Sequence, residues 1–555
     1  MNPSPKILII GGVAAGASCA ARARRLDEHA EIIMLERGPD VSFANCGLPY
    51  HIGGEIADRN ALAVQTPASL KALLKLDVRP NCEAVKIDRA GKRVEVKYLV
   101  DGRSEWLGYD KLMLAPGASP LRPSLPGIDD ARVFTLRNLQ DMDRIVAASE
   151  EGQRAVVIGA GFIGVEMSEQ LRHKGLSVQL VELQTQIFPQ LDAPMTALLE
   201  SELRQHGVGI VLGDGVARFE PQAGRLRCHL NSGLQLDADL VILSIGVKPD
   251  TELARDAGLA LGPRGHIVVN DFMQSSDPDI YAAGDAVQTQ DRVIASPTNI
   301  PMGGPANRQG RVAADHMILG SKARPYPGSL GTAIVRGFSV AAGITGWSEK
   351  RLAAAGKPCQ SVTVNDHHHA AYYPGALPLT LKILWEPDSG RLLGAQACGF
   401  EGVDKRLDVL ATAITAGMTV EDLCHLELAY APPFGSAKDV INIAGFAACN
   451  RRDGLVRHVS ELPSDPQWQI VDVRPGPLAE AYPVPGQVLN IPFPTLRASL
   501  GKLDRSRPVL TVCAFGKMSY FAARLLVQEG FDVSSFSGGM RGNVDPRSPG
   551  KMPTA

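Results

Sequence analysis

No apolar run in this sequence approaches the roughly 20 residues that a membrane-spanning helix needs, which argues against a transmembrane protein. An excess of charge of either sign is missing too. Lys and Arg number 57, Asp and Glu 59, and the formal net charge is −2. That leaves no basic footprint for nucleic acid or an anionic membrane surface. Nine cysteines, an odd number, are scattered without metal-like pairing, so in a reducing compartment most read as buried thiols. The start, MNPSPKILIIGG, lacks a signal-peptide cleavage site, and the expectation is a cytoplasmic protein. What remains is a globular composition, 45% hydrophobic and 21% charged. The chain is too long for one core, and roughly three or four domains are expected.

What is present is, first, a repeated turn. KILIIGGVAAGASCAARARRLDEHAEIIMLER reads as strand, glycine turn, helix, strand. The apolar run Ile7–Ile10 leads into Gly11, Gly12 and Gly16, a helix spans about Ala14 to Leu26, and the strand Ile32–Leu35 ends at Glu36. The glycines let backbone approach a pyrophosphate, and the helix N-terminus offers unpaired N–H groups and a positive dipole end. Glu36 is placed to accept hydrogen bonds from a ribose, and Arg37 beside it is assigned to the same cofactor site. Val13 stands where the G-x-G-x-x-G fingerprint has its middle glycine. The unit recurs at RAVVIGAGFIGVEMSEQLRHKGLSVQLVELQ with the full set, Gly159, Gly161 and Gly164, and Glu182 ends the next strand. A carboxylate there repels a 2′-phosphate, so NADH is preferred, with NADPH left open.

Three further segments appear in order. LMLAPGASP (112–120) and VILSIGVKPD (241–250) flank the second turn, and MQSSDPDIYAAGDAVQ (273–288) carries the strand Ile280–Ala283 into Gly284 and Asp285. Together with the two turns they make the chain resemble the pyridine nucleotide–disulfide oxidoreductases, over about residues 5–446. The resemblance implies FAD on the first turn, with Asp285 on its sugar or ribityl chain, and NADH on the second.

Cys46 lies in VSFANCGLPYHIGG (41–54), among small, polar and turn-forming residues rather than in an apolar run. Most disulfide reductases of the class carry a second cysteine five positions earlier, and that position here is Val41. Without a resolving thiol, the alternatives are a mixed disulfide with a small thiol or an oxidised sulfur on Cys46 itself. SFANCGLPY closely resembles the active-site segment of coenzyme A disulfide reductases and NADH-dependent persulfide reductases. A helix N-terminus and a stacked flavin are expected to lower the thiol's pKa. Ser18, Arg22 and Arg25 recur at about one-turn spacing on the first helix and can share a face. The resemblance makes them part of a coenzyme A site together with Ser42, Asn45, Lys75 (Lys71 is the alternative) and Lys438. Basic groups there would meet phosphates. Coenzyme A is expected as substrate or tightly bound ligand.

HHHAAYYPGALPLTLKILWEPDSGRLLGAQACGFEGVDKRLDVLATAI resembles the family's dimerisation domain, with strands Leu379–Trp385 and Leu392–Ala397 and a helix from about Val403 to Ala416. In relatives the segment matching LELAYAPPFGSAKDVINIAG reaches into the partner's active site. The resemblance therefore implies a homodimer with shared sites, Tyr430 near thiol and flavin, and Lys438 near coenzyme A. A tyrosine O–H can protonate a leaving thiolate. Tyr372 or Tyr373 is a second phenol, and the choice between them stays open. His367–His369 are adjacent and cannot all face one ion on a strand, so no metal is expected.

About a hundred residues follow the reductase body. QIVDVRP, GQVLNIPF and PVLTVCAFGKMSYFAARLLVQEGFDVSSFSGGMRGN closely resemble a rhodanese domain, with Cys513 at a strand-to-loop junction. The loop CAFGKMS would direct backbone N–H groups at a Cys513 thiolate or persulfide. Many rhodanese loops carry an arginine near Met518, and here the loop's cation is Lys517.

The expected fold class is α/β: two Rossmann-like dinucleotide-binding domains, an α+β dimerisation domain and a C-terminal rhodanese-like α/β domain. The expected boundaries are 1–115 with 246–325 for FAD, 116–245 for NAD(P)H, 326–446 for dimerisation, 447–466 as linker and 467–548 for the rhodanese-like part. The expected activity is NADH-dependent reduction of coenzyme A persulfide, polysulfide or coenzyme A disulfide through Cys46, with Cys513 carrying sulfane sulfur. Small-molecule sulfur compounds are the expected partners, without nucleic acid or membrane. The alternatives are an NADH oxidase or peroxidase with a Cys46 sulfenic acid, against which GGVAAGAS has no histidine, and a redox-responsive sulfur carrier.

Overall fold

A computed structural model describes residues 5–222 and 224–540. It divides into two compact units, Met1–Leu183 with Asp214–Ser329, and Gln184–Gly213 with Leu330–Ala555. The expected rhodanese-like segment 467–548 runs past residue 540, and that end lies outside the described residues.

In the first unit, apolar runs without alternation become strands buried on both faces. Ile280–Ala282, Lys111–Leu114, Lys6–Ile10, Glu31–Leu35 and Asp77–Arg79 lie parallel in that order. Ile280 pairs with Leu112, and Ile7 with both Lys111 and Ile32. Residues near 280 thus complete the sheet that residue 6 begins. The helices Ala14–Leu26 and Gly303–Leu319 pack closely enough that a Cβ on Gly310 would lie 2.2 Å from Ala15 O. A second parallel set follows the order Ser177–Glu182, Arg154–Ile158, Leu240–Leu243, Val133–Phe134. The two links between these sheets pair with each other, Val247 opposite Pro120 and Pro249 opposite Ala118.

In the second unit, Ala333–Gly337, Val340–Gly346, Leu392–Gly399, Pro378–Trp385 and Gln360–His367 form an antiparallel sheet in that order. The helix Val403–Thr415 packs on it. Residues 184–213 fall in the same compact unit as this sheet. A buried ion pair joins them to it. Lys382 Nζ donates to Asp192 Oδ2 at 2.8 Å, and Gln396 Nε2 donates to the same oxygen at 2.6 Å. Within 447–466 lie the end of the helix Val440–Arg452 and the short strand Arg457–Val459, which pairs in parallel with Val533–Phe536. That short strand begins the last sheet, whose order is Arg457–Val459, Val533–Phe536, Val509–Val512, Gln469–Asp472, Val488–Asn490. Among the described residues no helix is long and apolar enough to cross a membrane.

Candidate functional site

The two glycine turns repeat each other atom for atom. The N–H of the residue after the first glycine donates to the acid that ends the second strand: Gly12 N to Glu36 Oε2 at 2.8 Å, and Ala160 N to Glu182 Oε2 at 2.6 Å. Gly38 N closes on Glu36 Oε1 at 2.8 Å. A Cβ on Gly16 or Gly164 would lie 1.8 Å from the carbonyl oxygen of Gly11 or Gly159 respectively. Both leading glycines hold positive φ, +99° and +97°, a region costly for residues with a side chain. The copies differ at the middle glycine of the fingerprint. A Cβ on Gly161 meets nothing within 4 Å, whereas Val13 takes that place as the N-cap of the first helix. Arg37, next to Glu36, is exposed and lies 3.8 Å from Glu83.

Cys46 stands on the single turn Asn45–Gly47, ahead of the short helix Leu48–Ile52. The segment before it is tied to the first glycine turn. Ser42 N donates to Gly12 O at 2.8 Å, and Ala44 N donates to Leu62 O at 2.9 Å. Val41, where a second thiol would stand, is 2% exposed. Of the cysteines, all among the described residues, only Cys46 is exposed. The protein's own groups oppose a thiolate there. Surrounding protein and then the carboxylates of Glu166 and Asp285 push the Cys46 thiol up, because an anion beside an anion disfavours the thiolate. The following helix has only five residues, too few to outweigh them. Glu166 belongs to the helix of the second turn and accepts from Tyr50 Oη at 3.2 Å. Asp285 follows Gly284 at its strand end, and burial pushes its carboxyl up while Arg137 opposes. Arg137 is itself fixed by Asp250 at 2.8 Å. Neither Glu166 nor Arg137 was among the sequence candidates. Both act across the fold from Cys46, with no local spacing to reveal them.

The expected coenzyme A residues fall into two groups by unit. On the first helix, Ser18 Oγ donates to Asn307 Oδ1 at 2.7 Å and Arg22 Nε to Asp315 Oδ1 at 2.5 Å, while Arg25 is exposed. Ser42 holds φ +48°, and Asn45 Nδ2 donates to Arg137 O at 3.3 Å. Lys75 caps the helix Pro67–Leu74 with φ +49°, and its ammonium lies 2.5 Å from Glu28. In the second unit, Lys438 is exposed, and Tyr430 and Tyr372 share a 3.0 Å hydrogen bond between their hydroxyls, both largely exposed. Tyr373 instead packs edge-on against His369. Tyr372 is therefore the phenol joined to Tyr430. The group of side chains among the described residues that could together hold a metal is Glu55, Glu169 and His173, and the His367–His369 run is not part of it.

Cys513 directly follows the strand Val509–Val512 and is 3% exposed. Gly516 N donates to its sulfur at 3.1 Å, and the sulfur lies 3.5 Å from Ser519 Oγ. Gly516, with φ +89°, starts the helix Lys517–Gln528. Met518 and Lys517 are exposed on its first turn. Asp472 and Arg474 form a buried pair at 2.6 Å.

The comparisons with known proteins converge. Residues 5–308 match the family model described as pyridine nucleotide-disulphide oxidoreductase, 333–440 its dimerisation domain and 456–544 the rhodanese-like domain. The chain belongs to the pyridine nucleotide-disulphide oxidoreductase family. Coenzyme A disulfide reductase from Staphylococcus epidermidis is 35% identical over 448 residues, 80% of this chain and 99% of that one. The crystal structure of reduced Bacillus anthracis CoADR-RHD is 43% identical, with TM-score 0.93 over 97% of both chains. A NAD-dependent persulfide reductase from A. fulgidus is 38% identical, with TM-score 0.91 over 97% of this chain and 99% of that one.

Members of the family depend on FAD and NAD(H). The residues present fit both groups. Each turn is a cradle that added side-chain atoms would fill, with an acid already anchored to the turn and further lone pairs for a ribose. The open face at Gly161 suits the close approach of a pyrophosphate.

Proposed function

We propose that this member of the family reduces coenzyme A disulfide, coenzyme A persulfide or polysulfide with NADH, through Cys46, and that its rhodanese-like domain carries sulfane sulfur on Cys513. One observation carries the reading: the exposed thiol of Cys46 has the buried side chain of Val41 where a second cysteine would resolve an internal disulfide. A thiol so isolated is free to pair with a diffusible one. The named functions of the relatives, disulfide and persulfide reduction, agree with this and do not favour an oxidase or peroxidase using a Cys46 sulfenic acid, or a regulatory carrier.

The Gly11–Gly16 turn, Glu36 and Asp285 would hold FAD, and Gly159–Gly164 with Glu182 would hold NADH; when bound, the pair would supply two electrons for the reduction. The Cys46 thiolate attacks a sulfur of coenzyme A disulfide, releasing one coenzyme A thiolate and leaving Cys46 in a mixed disulfide. With a coenzyme A persulfide, attack on the inner sulfur releases hydrosulfide and leaves the same mixed disulfide. Two electrons and one proton then restore the Cys46 thiolate and free coenzyme A. Two chains associate through the dimerisation domain, and the Tyr372–Tyr430 pair delivers the proton to the departing thiolate in the partner's site. Ser18, Arg22, Arg25, Ser42, Asn45, Lys75 and Lys438 hold the coenzyme A. In that state Arg22 and Lys75 exchange or share Asp315 and Glu28 with phosphate. We keep the cytoplasm as the expected compartment, since reducing surroundings leave a lone catalytic thiol free.

The test is steady-state NADH oxidation with coenzyme A disulfide, coenzyme A persulfide, glutathione persulfide and polysulfide, for wild type, Cys46→Ser and Cys513→Ala. Cys46→Ser should stop turnover with every substrate. Cys513→Ala should spare coenzyme A disulfide and slow at least one sulfane donor. Turnover of coenzyme A disulfide by Cys46→Ser would reject the reading.

A further inference from the structure

Asn365 sits on the edge strand of the dimerisation sheet, Gln360–His367, with Thr380 opposite it. Thr380 Oγ1 donates to Asn365 Oδ1 at 2.6 Å, which fixes the amide's orientation. Both amide hydrogens then go to the rhodanese-like domain. Asn365 Nδ2 donates to Gly538 O at 2.6 Å and to Phe515 O at 3.3 Å.

Those two carbonyls frame the Cys513 sulfur. The Phe515 carbonyl and the Gly516 N–H belong to one peptide unit. A trans peptide directs the two groups to opposite sides. On one side the carbonyl accepts from Asn365, and on the other the N–H donates to Cys513 Sγ at 3.1 Å. Gly538 precedes Gly539, at which a Cβ would lie 2.5 Å from Gly516 N and 2.7 Å from Cys513 O, and Met540 N donates to Cys513 O at 2.9 Å. Asn365 thus grips both strands of backbone that close around the sulfur. Hydrogen bonds in series polarise one another, so a donor on the Phe515 carbonyl strengthens Gly516 N–H as a donor to an anionic sulfur.

We propose that Asn365 of the dimerisation sheet is a positioning residue for Cys513: through the Phe515–Gly516 peptide it orients and strengthens the N–H that stabilises the thiolate or persulfide. The proposal deepens the reading of Cys513 as sulfur carrier and rests on it for its biological meaning. It makes the reductase body a structural part of the sulfur-carrying site. A rhodanese domain merely tethered by a flexible segment would have no such part.

The experiment reads the thiol directly, in the full-length flavoprotein. The pH dependence of iodoacetamide labelling at Cys513 is followed by peptide mass spectrometry for wild type, Asn365→Ala, Asn365→Asp and Ser537→Ala. Ser537 Oγ accepts from Thr363 N at 3.0 Å across the same junction, so its loss weakens the contact without touching the peptide. Asn365→Ala should move the labelling midpoint upward by about half a pH unit. Asn365→Asp, equal in size but without N–H groups, should move it at least as far, and Ser537→Ala should leave it in place. An unmoved midpoint in both Asn365 variants, or an equal shift in Ser537→Ala, would overturn the positioning role. Labelling requires no sulfur transfer. If wild-type Cys513 takes no persulfide from polysulfide, the carrier reading fails while the outcome at Asn365 is still decided.

Discussion

Cys46 and Cys513 carry the same atom in opposite surroundings. Cys46 is exposed on a one-turn helix, and the nearest ionisable groups that act on it, Glu166 and Asp285, push its thiol up. Cys513 is buried, with the Gly516 N–H at 3.1 Å and a hydroxyl at 3.5 Å. The chain itself supplies the anion-stabilising donor at the second thiol and withholds it at the first. The difference teaches that the protein's own groups oppose a thiolate at Cys46 and set a backbone donor against the sulfur of Cys513.

The sharpest way to break that contrast is to remove each sulfur in turn. Cys46→Ser should lower NADH-linked reduction on the order of a thousandfold, as loss of a covalent nucleophile does, measured as kcat with coenzyme A disulfide. A comparable loss from Cys513→Ala with that substrate would reverse the roles assigned here. Next in size is Gly539→Ala. Its backbone has φ +60°, and the added methyl would press on Gly516 N, Ala514 O and Cys513 O together. A cost of about 2 kcal/mol is expected, seen as earlier thermal unfolding of the rhodanese-like domain and loss of Cys513 persulfide, with reduction at Cys46 retained. Tyr430→Phe should slow release of the leaving thiolate by about tenfold or more. Tyr372→Phe should cost less, because it removes the partner of that hydroxyl and leaves the hydroxyl itself. Equal losses would make the two phenols a single acid.

What was legible in the sequence was what adjacent residues decide. Gly159, Gly161, Gly164 and Glu182 stand within one strand–turn–helix–strand unit, so local spacing reveals them. The same holds for the loop at Cys513. What was hidden depends on partners far along the chain. Lys382 on the dimerisation sheet meets Asp192, 190 positions away. Arg457–Val459 is three residues long and charged at its start, and without the pairing to Val533–Phe536 it reads as linker. Asn365 looks like an ordinary strand residue until Phe515 and Gly538 are seen beside it. The carboxylate that faces Cys46 was hidden for the same reason, since Glu166 comes from the helix of the second glycine turn.

The smallest expected effect probes that last point. Glu166→Gln removes one negative charge facing Cys46 and keeps an oxygen to accept from Tyr50 Oη, so the short helix after the thiol stays anchored. Glu166 weighs more on the thiol than Asp285 does. A raised thiol pKa means too little thiolate at neutral pH, and relieving the repulsion lowers it. The pH midpoint for iodoacetamide labelling of Cys46 in the NADH-reduced enzyme should therefore move down, by about half to one unit. Labelling at neutral pH should become faster, not slower. Asp285→Asn should move the midpoint less, in the same direction. An unmoved midpoint in both variants would mean that burial alone holds the proton on Cys46. The contrast between the two thiols would then reduce to one of exposed and buried sulfur, without the charges that separate them here.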